Sequence, residues 1–328
     1  MGTMNVLEKV RIGKSNLDIT RVGIGTAPIG STPNWHVYWG PQDEQTAIKA
    51  IRKALDMGVN WIDTAPFYGW GRAETIVGKA VQGRRDQVYI FTKCGTLPDG
   101  KGGGIEDNSA PTIKREIGES LRRLQTDHVD LLQIHDTDPR TPIEESWRAV
   151  HELVREGKVR HAGLSNHPVD LVKRAMKIGP VVSNQLQYNP LERKIEEDLL
   201  PFCHSNGIGV LGWGSLAEGF LTDKFDLDTL DPNDFRRRHK YSQPENLSRI
   251  IRARNAFSHI ATTHGGTMVD AVVAWEIARP GITGAIIGIR NEKEAEDMIG
   301  GLNMRLSRQE IDAIDTSLHD VDEPSKVS

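Results

Sequence analysis

One segment sets the interpretation of this chain: Val59-Asn60-Trp61-Ile62-Asp63-Thr64-Ala65-Pro66-Phe67-Tyr68-Gly69. It opens as a short apolar strand that ends in a carboxylate, Asp63. Pro66 restricts the backbone of the loop that follows and Gly69 allows the chain to turn, so Tyr68 between them is held in place. A strand-end aspartate beside a fixed tyrosine suits proton transfer at the mouth of a barrel. Taken alone, the segment fits equally well a turn with a buried aspartate cap and a packed aromatic ring.

Short apolar strands alternate with helical patterns on both sides of this segment. The clearest helix start is at Thr141, a candidate N-cap, with Pro142 at the first helical position and Glu144 completing a capping box. Polar residues at 222–245 interrupt the alternation and predict a solvated excursion or a lid. Eight strand segments remain, marked by Ile24, Asn60, Val88, Val129, Val159, Val181, Ile208 and Ala285.

Eight strands separated by helices imply right-handed crossovers and a parallel sheet. In a chain of 328 residues this pattern fits a closed (β/α)8 TIM barrel better than an open sheet. Barrels of this size often form one domain, so we expect a single domain over residues 1–328. Residues 10–17 and 19–24 predict an N-terminal β-hairpin. The chain has neither the GxGxxG of a Rossmann fold after its first strand nor the GxxxxGK[ST] of a phosphate loop.

Composition argues against several classes of protein. The formal net charge of -4 gives no basic surface for nucleic acid or an anionic membrane. No apolar run approaches the roughly 20 residues that span a bilayer, and the N-terminus lacks the apolar core of a signal peptide. The two cysteines, Cys94 and Cys203, form no CxxC pair and no zinc-spaced cluster, which predicts reduced thiols in a cytoplasmic protein without a metal site.

Polar side chains follow nearly every predicted strand. In a (β/α)8 barrel, the C-terminal ends of the strands carry the catalytic groups. An aspartate, a lysine and a histidine from successive strands would therefore converge on one mouth, together with the loop tyrosine. The residues at these strand ends are Asp63, Lys93, His135, Ser165, Asn166, Gln185, Trp213 and Gly288.

The four groups Asp63, Tyr68, Lys93 and His135 could together reduce a carbonyl. A free tyrosine has a pKa of about 10, too high for efficient proton donation near neutrality. The Lys93 ammonium would lower that pKa, and Asp63 would keep Lys93 charged and aimed. Tyr68 then becomes a general acid, with His135 orienting the carbonyl oxygen. The hydride must come from a cofactor, for which a nicotinamide is the usual choice.

Other strand ends suit such a cofactor. Ser165, Asn166 and Gln185 can hydrogen-bond a carboxamide, and Trp213 can stack on the nicotinamide face. The segment that ends in Arg290 opens a helix, so its backbone N–H groups and guanidinium can meet a phosphate.

Nine segments resemble the aldo-keto reductase family and occur in the family's order, within a similarity that runs over roughly residues 21–314. They are Asp63-Thr64-Ala65-Pro66-Phe67-Tyr68-Gly69, Thr92-Lys93, Gln133-Ile134-His135-Asp136, Thr141-Pro142-Ile143-Glu144-Glu145, Glu156-Gly157-Lys158-Val159-Arg160, Gly163-Leu164-Ser165-Asn166, Asn184-Gln185, Gly219-Phe220-Leu221-Thr222-Asp223-Lys224 and Ile287-Gly288-Ile289-Arg290. The resemblance implies a (β/α)8 barrel, closed at its bottom by the hairpin, that uses NAD(P)H to interconvert carbonyls and alcohols. It implies the catalytic tetrad Asp63, Tyr68, Lys93 and His135.

The resemblance also implies a set of cofactor contacts. Arg290 would pair with a 2′-phosphate, which favours NADP(H) over NAD(H). The family often carries glutamine and asparagine near the adenine, where this chain has Glu294 and Met298; Glu294 would weaken the preference. The implied cofactor residues are Gly25, Thr26, Asp63, Ser165, Asn166, Gln185, Trp213, Leu216, Gly219, Lys224, Gly288, Arg290 and Glu294.

The sequence therefore predicts an NAD(P)H-dependent oxidoreductase that reduces aldehydes or ketones, with a small-molecule substrate and neither nucleic-acid nor membrane partners. It predicts no oligomeric state. A second hypothesis is a nucleotide-binding regulatory or sensor subunit with little turnover. A third, a metal-dependent barrel hydrolase, would need clustered His and Asp ligands, whereas the strand ends offer His135 as their one imidazole.

Overall fold

The structure is a computed structural model that describes residues 7–319. Its strands are β1 (Lys9–Arg11), β2 (Asp18–Thr20), β3 (Val22–Gly25), β4 (Trp61–Asp63), β5 (Tyr89–Cys94), β6 (Thr96–Pro98), β7 (Gly104–Glu106), β8 (Val129–Ile134), β9 (Val159–Ser165), β10 (Ser183–Gln187), β11 (Gly209–Trp213) and β12 (Ile282–Gly288). Its α-helices are α1 (Glu44–Asp56), α2 (Arg72–Ala80), α3 (Ala110–Leu124), α4 (Ile143–Arg155), α5 (Val169–Met176), α6 (Leu199–Asn206), α7 (Pro244–Thr263), α8 (Met268–Ile277), α9 (Glu292–Asp297) and α10 (Arg308–His319).

Eight of the strands form a closed barrel in the order β10-β11-β12-β3-β4-β5-β8-β9. Every pair in this barrel is parallel. At least one α-helix connects each barrel strand to the next one along the chain, from α1 between β3 and β4 to α7 and α8 between β11 and β12, and β12 pairs with β3 to close the barrel. The predicted (β/α)8 fold is therefore confirmed. That residues 1–328 form one domain stays a prediction, because residues 1–6 and 320–328 lie outside the described part.

The N-terminal hairpin consists of β1 and β2, paired antiparallel. Its apolar residues Ile12, Leu17 and Ile19 pack inside the barrel. The hairpin is as predicted, but its second strand is shorter than the expected 19–24. The chain breaks the strand at Arg21, whose guanidinium donates to the carbonyls of Ile277 and Ile282, and the remaining residues become the first barrel strand.

The barrel interior changes from apolar to polar along its axis. A lower cluster contains the hairpin residues together with Trp61, Phe91, Leu131, Leu211 and Ile286. Side chains alternate along a strand with a period of two, so the residue two positions later points into the same interior. Those later positions carry Asp63, Lys93, Gln133, Trp213 and Gly288. The same alternation that fills the bottom of the barrel thus directs the functional groups into its mouth.

A larger apolar core lies between the barrel and the helices. One predicted helix start is wrong in detail. Thr141 does not cap α4; its hydroxyl donates to Asp138 Oδ2 at 2.8 Å, and the N-cap position belongs to Pro142, which has no side-chain acceptor for the helix. Thr141 therefore stabilises the preceding turn.

Two segments border the mouth of the barrel. Strands β6 and β7 form a small antiparallel hairpin after β5. The excursion at 222–245 contains three short 3-10 turns, Leu227–Thr229, Phe235–Arg238 and Lys240–Ser242, and joins α7. Tyr241 and Asp234 in this stretch are buried, so part of the predicted solvated excursion packs against the body of the protein. None of the helices in residues 7–319 combines the length and the apolar character needed to cross a membrane.

Candidate active site

Lys93 lies at the centre of the predicted tetrad. Its Nζ is 2.7 Å from Asp63 Oδ2, 3.0 Å from the Tyr68 hydroxyl and 3.1 Å from the carbonyl of Thr64. Lys93 and Asp63 are both almost fully buried. An ammonium has three protons to donate, and here each has an acceptor. The lysine is consequently fixed in position beneath the phenol.

Local geometry places each member of this group. Asp63 is the last residue of β4, and Lys93 faces the same interior from the neighbouring β5. Tyr68 lies in the turn after β4, where Gly69 has a φ of +61°. A side chain on Gly69 would bring its Cβ to 1.9 Å from the carbonyl oxygen of Gly30. Glycine is therefore required there to bring Tyr68 over Lys93.

His135 joins the site from the loop after β8. Its ring lies edge-on to Tyr68 with the ring centroids 5.9 Å apart, and its backbone N–H donates to the carbonyl of Cys94 at 2.9 Å. The structure thus brings all four predicted catalytic residues together. Three of them form a hydrogen-bonded chain, while the imidazole of His135 packs beside the phenol.

Burial governs the protonation of these groups. Burial raises the pKa of Tyr68 above its ordinary value, and the Lys93 ammonium offsets only part of that effect. Burial lowers the pKa of Lys93, but Asp63 and Tyr68 together raise it above its ordinary value. Burial, helped by Lys93, takes the pKa of His135 well below its ordinary value. Lys93 therefore lowers the pKa of Tyr68 as expected, but burial and the charge of Asp63 outweigh this effect. Near neutral pH the site holds a protonated phenol, an ammonium and a neutral imidazole.

Two glutamines hold the other oxygen of Asp63. Gln185 Nε2 donates to Asp63 Oδ1 at 2.7 Å, and Gln133 Nε2 lies 3.5 Å from the same oxygen. The side-chain oxygen of Gln133 is also 3.4 Å from Gln185 Nε2. No role was expected for Gln133. The signal available in the sequence was a polar residue in a strand whose other residues, apart from Asp130, are apolar, two positions before His135.

The residues expected at the nicotinamide lie together beside this network. Ser165 is buried, and its hydroxyl has no hydrogen-bond partner among the described residues. Asn166 adopts a left-handed conformation with a φ of +57°, and its Oδ1 accepts from Trp213 Nε1 at 3.0 Å. A buried hydroxyl without a partner costs free energy that a ligand could recover. The orphaned Ser165 hydroxyl and the fixed indole of Trp213 fit a flat carboxamide-bearing ring.

Gly25 and Gly288 are paired at the ends of β3 and β12. A Cβ would lie 2.9 Å from the Ile286 side chain at Gly25 and 3.0 Å from the Pro28 ring at Gly288. Larger side chains would crowd this edge of the barrel mouth. Thr26, next to Gly25, is fully buried and gives both its N–H and its hydroxyl to the carbonyl of Asp63. It therefore stabilises the strand end that carries the Asp63 carboxylate.

The turn after β11 contains Leu216 and Gly219. Between them, Ala217 and Glu218 both have positive φ values, +47° and +53°, which non-glycine residues adopt at a cost of about 1 to 3 kcal/mol. Such strain clusters where a ligand or a switch needs the backbone in a special shape. Lys224, further along, is exposed, and its Nζ is 3.6 Å from Asp297.

Arg290 lies just after β12, and its side chain is hydrogen-bonded to the loop before α1. Its guanidinium donates to Gln42 Oε1 at 2.9 Å and to the carbonyls of Trp39 and Pro41 at 2.7 and 2.5 Å. Glu294 does not bond the guanidinium; its Oε2 accepts from the backbone N–H of Arg290 at 2.7 Å.

Aromatic residues surround the open side of Tyr68. Phe67 lies 5.7 Å from His135 and 5.3 Å from Trp35, measured between ring centroids, and Trp35 lies 6.1 Å from Tyr68. Trp70 also packs on Phe67, at 5.3 Å. Trp35 is buried and Trp70 is half-buried. Their contacts put them in one cluster with two of the predicted catalytic residues, Tyr68 and His135.

Comparisons with known proteins agree with this architecture. The model of the aldo/keto reductase family matches residues 21–319. The aldo-keto reductase YhdN of Bacillus subtilis (strain 168) is 37% identical over 295 residues, 88% of this chain and 87% of the relative. The NADH-specific methylglyoxal reductase of Escherichia coli (strain K12) is 31% identical over 314 residues, 92% and 95% of the two chains.

A solved structure gives the same result for the fold. The glycerol dehydrogenase AKR11B4 from Gluconobacter oxydans superposes with a TM-score of 0.86 at 31% identity, covering 98% of this chain and 99% of that one. Three findings agree: the family model matches most of the chain, the relatives are of similar length, and the (β/α)8 barrel is shared. The chain belongs to the aldo/keto reductase family and is an oxidoreductase of that family.

Proposed function

We propose that this protein catalyses the reversible reduction of aldehydes or ketones to alcohols with a nicotinamide cofactor. The observation that carries the proposal is the contact of Lys93 Nζ with the Tyr68 hydroxyl at 3.0 Å and with Asp63 at 2.7 Å. When bound, the reduced nicotinamide supplies a hydride from its C4 carbon to the carbonyl carbon.

The residues of this chain handle the proton. Tyr68 is protonated near neutral pH and donates its proton to the carbonyl oxygen as general acid. Lys93 stabilises the phenolate that remains, and Asp63 keeps the ammonium charged and aimed. His135, as a neutral imidazole, donates its N–H to orient the oxygen. In alcohol oxidation the same groups act in reverse.

We propose that the cofactor ring lies against Trp213, with its carboxamide on Ser165, Asn166 and Gln185. The support is the orphaned hydroxyl of Ser165 and the hydrogen bond that fixes the indole to Asn166. The remaining proposed cofactor residues are Gly25, Thr26, Asp63, Leu216, Gly219, Lys224, Gly288, Arg290 and Glu294.

We propose NADP(H) as the preferred cofactor over NAD(H). The support is the state of Arg290, whose three guanidinium hydrogen bonds go to uncharged oxygens and leave its positive charge for a 2′-phosphate. The NADH-specific methylglyoxal reductase from Escherichia coli, 31% identical, weighs against a preference fixed by family membership alone.

A cytoplasmic location is part of the proposal. Its support is that both cysteines, Cys94 and Cys203, are buried free thiols. The alternative of a regulatory or sensor subunit is disfavoured, because relatives at 31% identity carry the names of a reductase and a dehydrogenase and the tetrad is assembled for turnover.

The test is turnover of small carbonyls, with methylglyoxal and glyceraldehyde first because the relatives are named for methylglyoxal and glycerol. Oxidation of NADPH and of NADH is followed by absorbance. Tyr68→Phe should lose at least about a hundredfold in kcat, the lower end for general acid catalysis, and should keep its affinity for NADPH. Tight cofactor binding without turnover of any carbonyl would favour the sensor. Near-normal rates in Tyr68→Phe would remove the phenol from its role.

A further inference from the structure

Arg290 differs from the other cations at its edge of the barrel mouth. Arg236 is neutralised by Asp234 at 2.7 Å, and Lys224 lies 3.6 Å from Asp297. Within residues 7–319, no carboxylate accepts a hydrogen bond from the guanidinium of Arg290, although the group is half-buried and its solvation by water is reduced. A cation held in this state is well suited to an anionic ligand.

Gln42 is the side chain that holds Arg290 in place without neutralising its charge. Its Oε1 accepts from Arg290 Nε at 2.9 Å, and its Nε2 donates to the backbone carbonyl of Arg290 at 3.1 Å. The two bonds fix the side chain and the backbone of the arginine at once. Gln42 is itself anchored, because its carbonyl accepts from Arg72 of α2.

The nearby carboxylate of Glu294 is occupied elsewhere. Its Oε2 accepts from the N–H of Arg290 at 2.7 Å, and its Oε1 accepts from Asn291 Nδ2 at 2.8 Å. Glu294 therefore stabilises the start of α9. The guanidinium has five N–H donors, and three are used by oxygens of residues 39–42, so two remain for a phosphate without breaking the anchor.

We propose that Gln42 is a positioning residue that sets the cofactor preference, by holding Arg290 with uncharged acceptors so that its charge and its free N–H groups are presented to the 2′-phosphate of NADP(H). This inference rests on the proposed function, in which Arg290 meets that phosphate. It predicts that a carboxylate at position 42 reverses the preference toward NAD(H), because the anion would pair with the guanidinium and repel the phosphate.

The test uses 2′,5′-ADP and 5′-ADP as probes, titrated calorimetrically into the wild type, Gln42→Glu, Gln42→Ala and the control Gln45→Glu. Gln45 is exposed on the first turn of α1, three residues further along, so its variant adds the same charge without a bond to Arg290. Gln42→Glu should lose about tenfold or more in affinity for 2′,5′-ADP, the loss of roughly one charge-assisted hydrogen bond. Gln42→Ala should lose less, since it removes the anchor and adds no charge.

In both Gln42 variants the affinity for 5′-ADP should stay within about twofold of the wild type, and Gln45→Glu should match the wild type for both probes. In turnover, Gln42→Glu should raise the KM for NADPH by a larger factor than the KM for NADH. Equal losses of affinity for both probes would mean that Gln42 has a structural role and would overturn the proposal. An unchanged ratio of the affinities for 2′,5′-ADP and 5′-ADP in Gln42→Glu would overturn it as well. A wild type that binds the two probes equally would overturn the NADP(H) preference as well, and absence of carbonyl turnover with either cofactor would overturn the reductase activity separately.

Discussion

Gln185 Nε2 donates a hydrogen bond to Asp63 Oδ1 at 2.7 Å, on the side of the carboxylate opposite to Lys93. The buried carboxylate is thus held from both oxygens, by an amide and by an ammonium. A glutamine predicted for the cofactor carboxamide therefore also belongs to the catalytic network. Its amide N–H₂ faces Asp63, which leaves its oxygen as the group that can accept from a ligand.

Gln185→Glu should make the reductase activity depend on pH. The introduced carboxyl would face Asp63 at the same short distance, and two carboxylates sharing one buried site cannot both ionise easily. We expect kcat/KM to fall by at least about tenfold at neutral pH and to recover partly as the pH is lowered and the pair takes up a proton. Steady-state kinetics from pH 5 to 8, with thermal unfolding as a folding control, measures this. A variant that is uniformly impaired at every pH would argue against the repulsion.

The wild-type enzyme should show a flat pH profile for carbonyl reduction from about pH 6 to about pH 9. Burial raises the pKa of Tyr68 and lowers that of His135 well below its ordinary value. The phenol therefore keeps its proton, and the imidazole stays neutral, throughout that range. Activity should decline only above about pH 10, where the phenol begins to lose the proton it must donate. Measured kcat/KM values that break near pH 6.5 would mean that His135 titrates during turnover.

Ser165→Ala should separate cofactor binding from stability. The buried Ser165 hydroxyl has no hydrogen-bond partner in the part of the chain that the structure describes, so its removal should leave the free energy of unfolding unchanged or raise it by up to about 1 kcal/mol. Affinity for the cofactor should fall by about tenfold if the hydroxyl bonds the carboxamide. Ser183→Ala is the matched control. The Ser183 hydroxyl is also buried and has no hydrogen-bond partner within residues 7–319, but it lies two residues before Gln185 on β10 and therefore deeper in the barrel. Equal affinities in the two variants would remove Ser165 from the cofactor site.

Local sequence patterns account for the fold and for the meeting of the four predicted catalytic residues at the barrel mouth. The alternation that puts Trp61 and Phe91 into the barrel core also directs Asp63 and Lys93 into its mouth, so strand ends could be recognised from adjacent residues alone. The break at Arg21 escaped this reasoning. The apolar alternation on its two sides is continuous, and the Arg21 guanidinium at the break donates its hydrogen bonds to carbonyls more than 250 residues away.

Residues whose partners are distant in sequence were the ones missed. Gln133 lies 70 positions from Asp63 and Gln42 lies 248 positions from Arg290, and no local periodicity connects either pair. The rise in the pKa of Tyr68 was missed for a related reason. Burial of the phenol depends on packing by the whole barrel mouth, whereas the effect of Lys93 follows from one neighbouring charge.

A buried carboxyl behind the site should make stability depend on pH. Glu116 of α3 accepts from the N–H of Gly95 at 2.6 Å, and burial raises its pKa to about 7, with Glu74 adding to the rise and Gly95, Arg115 and Arg123 opposing it. Its ordinary value is 4.5. Between these values the unfolded chain gives up a proton that the folded protein retains, so the free energy of unfolding falls as the pH rises, by up to about 3 kcal/mol from this group.

Glu116→Gln should abolish that fall, because the amide oxygen can still accept from Gly95 but cannot ionise. Relative to the wild type, the variant should gain up to about 3 kcal/mol between pH 5 and pH 8, measured by denaturant unfolding across that range. Glu119→Gln on the same helix is the control, since its side chain is 38% exposed. It should follow the wild-type pH dependence. Parallel curves for the wild type and Glu116→Gln would show that the carboxyl is already ionised in the folded protein and would contradict the predicted shift.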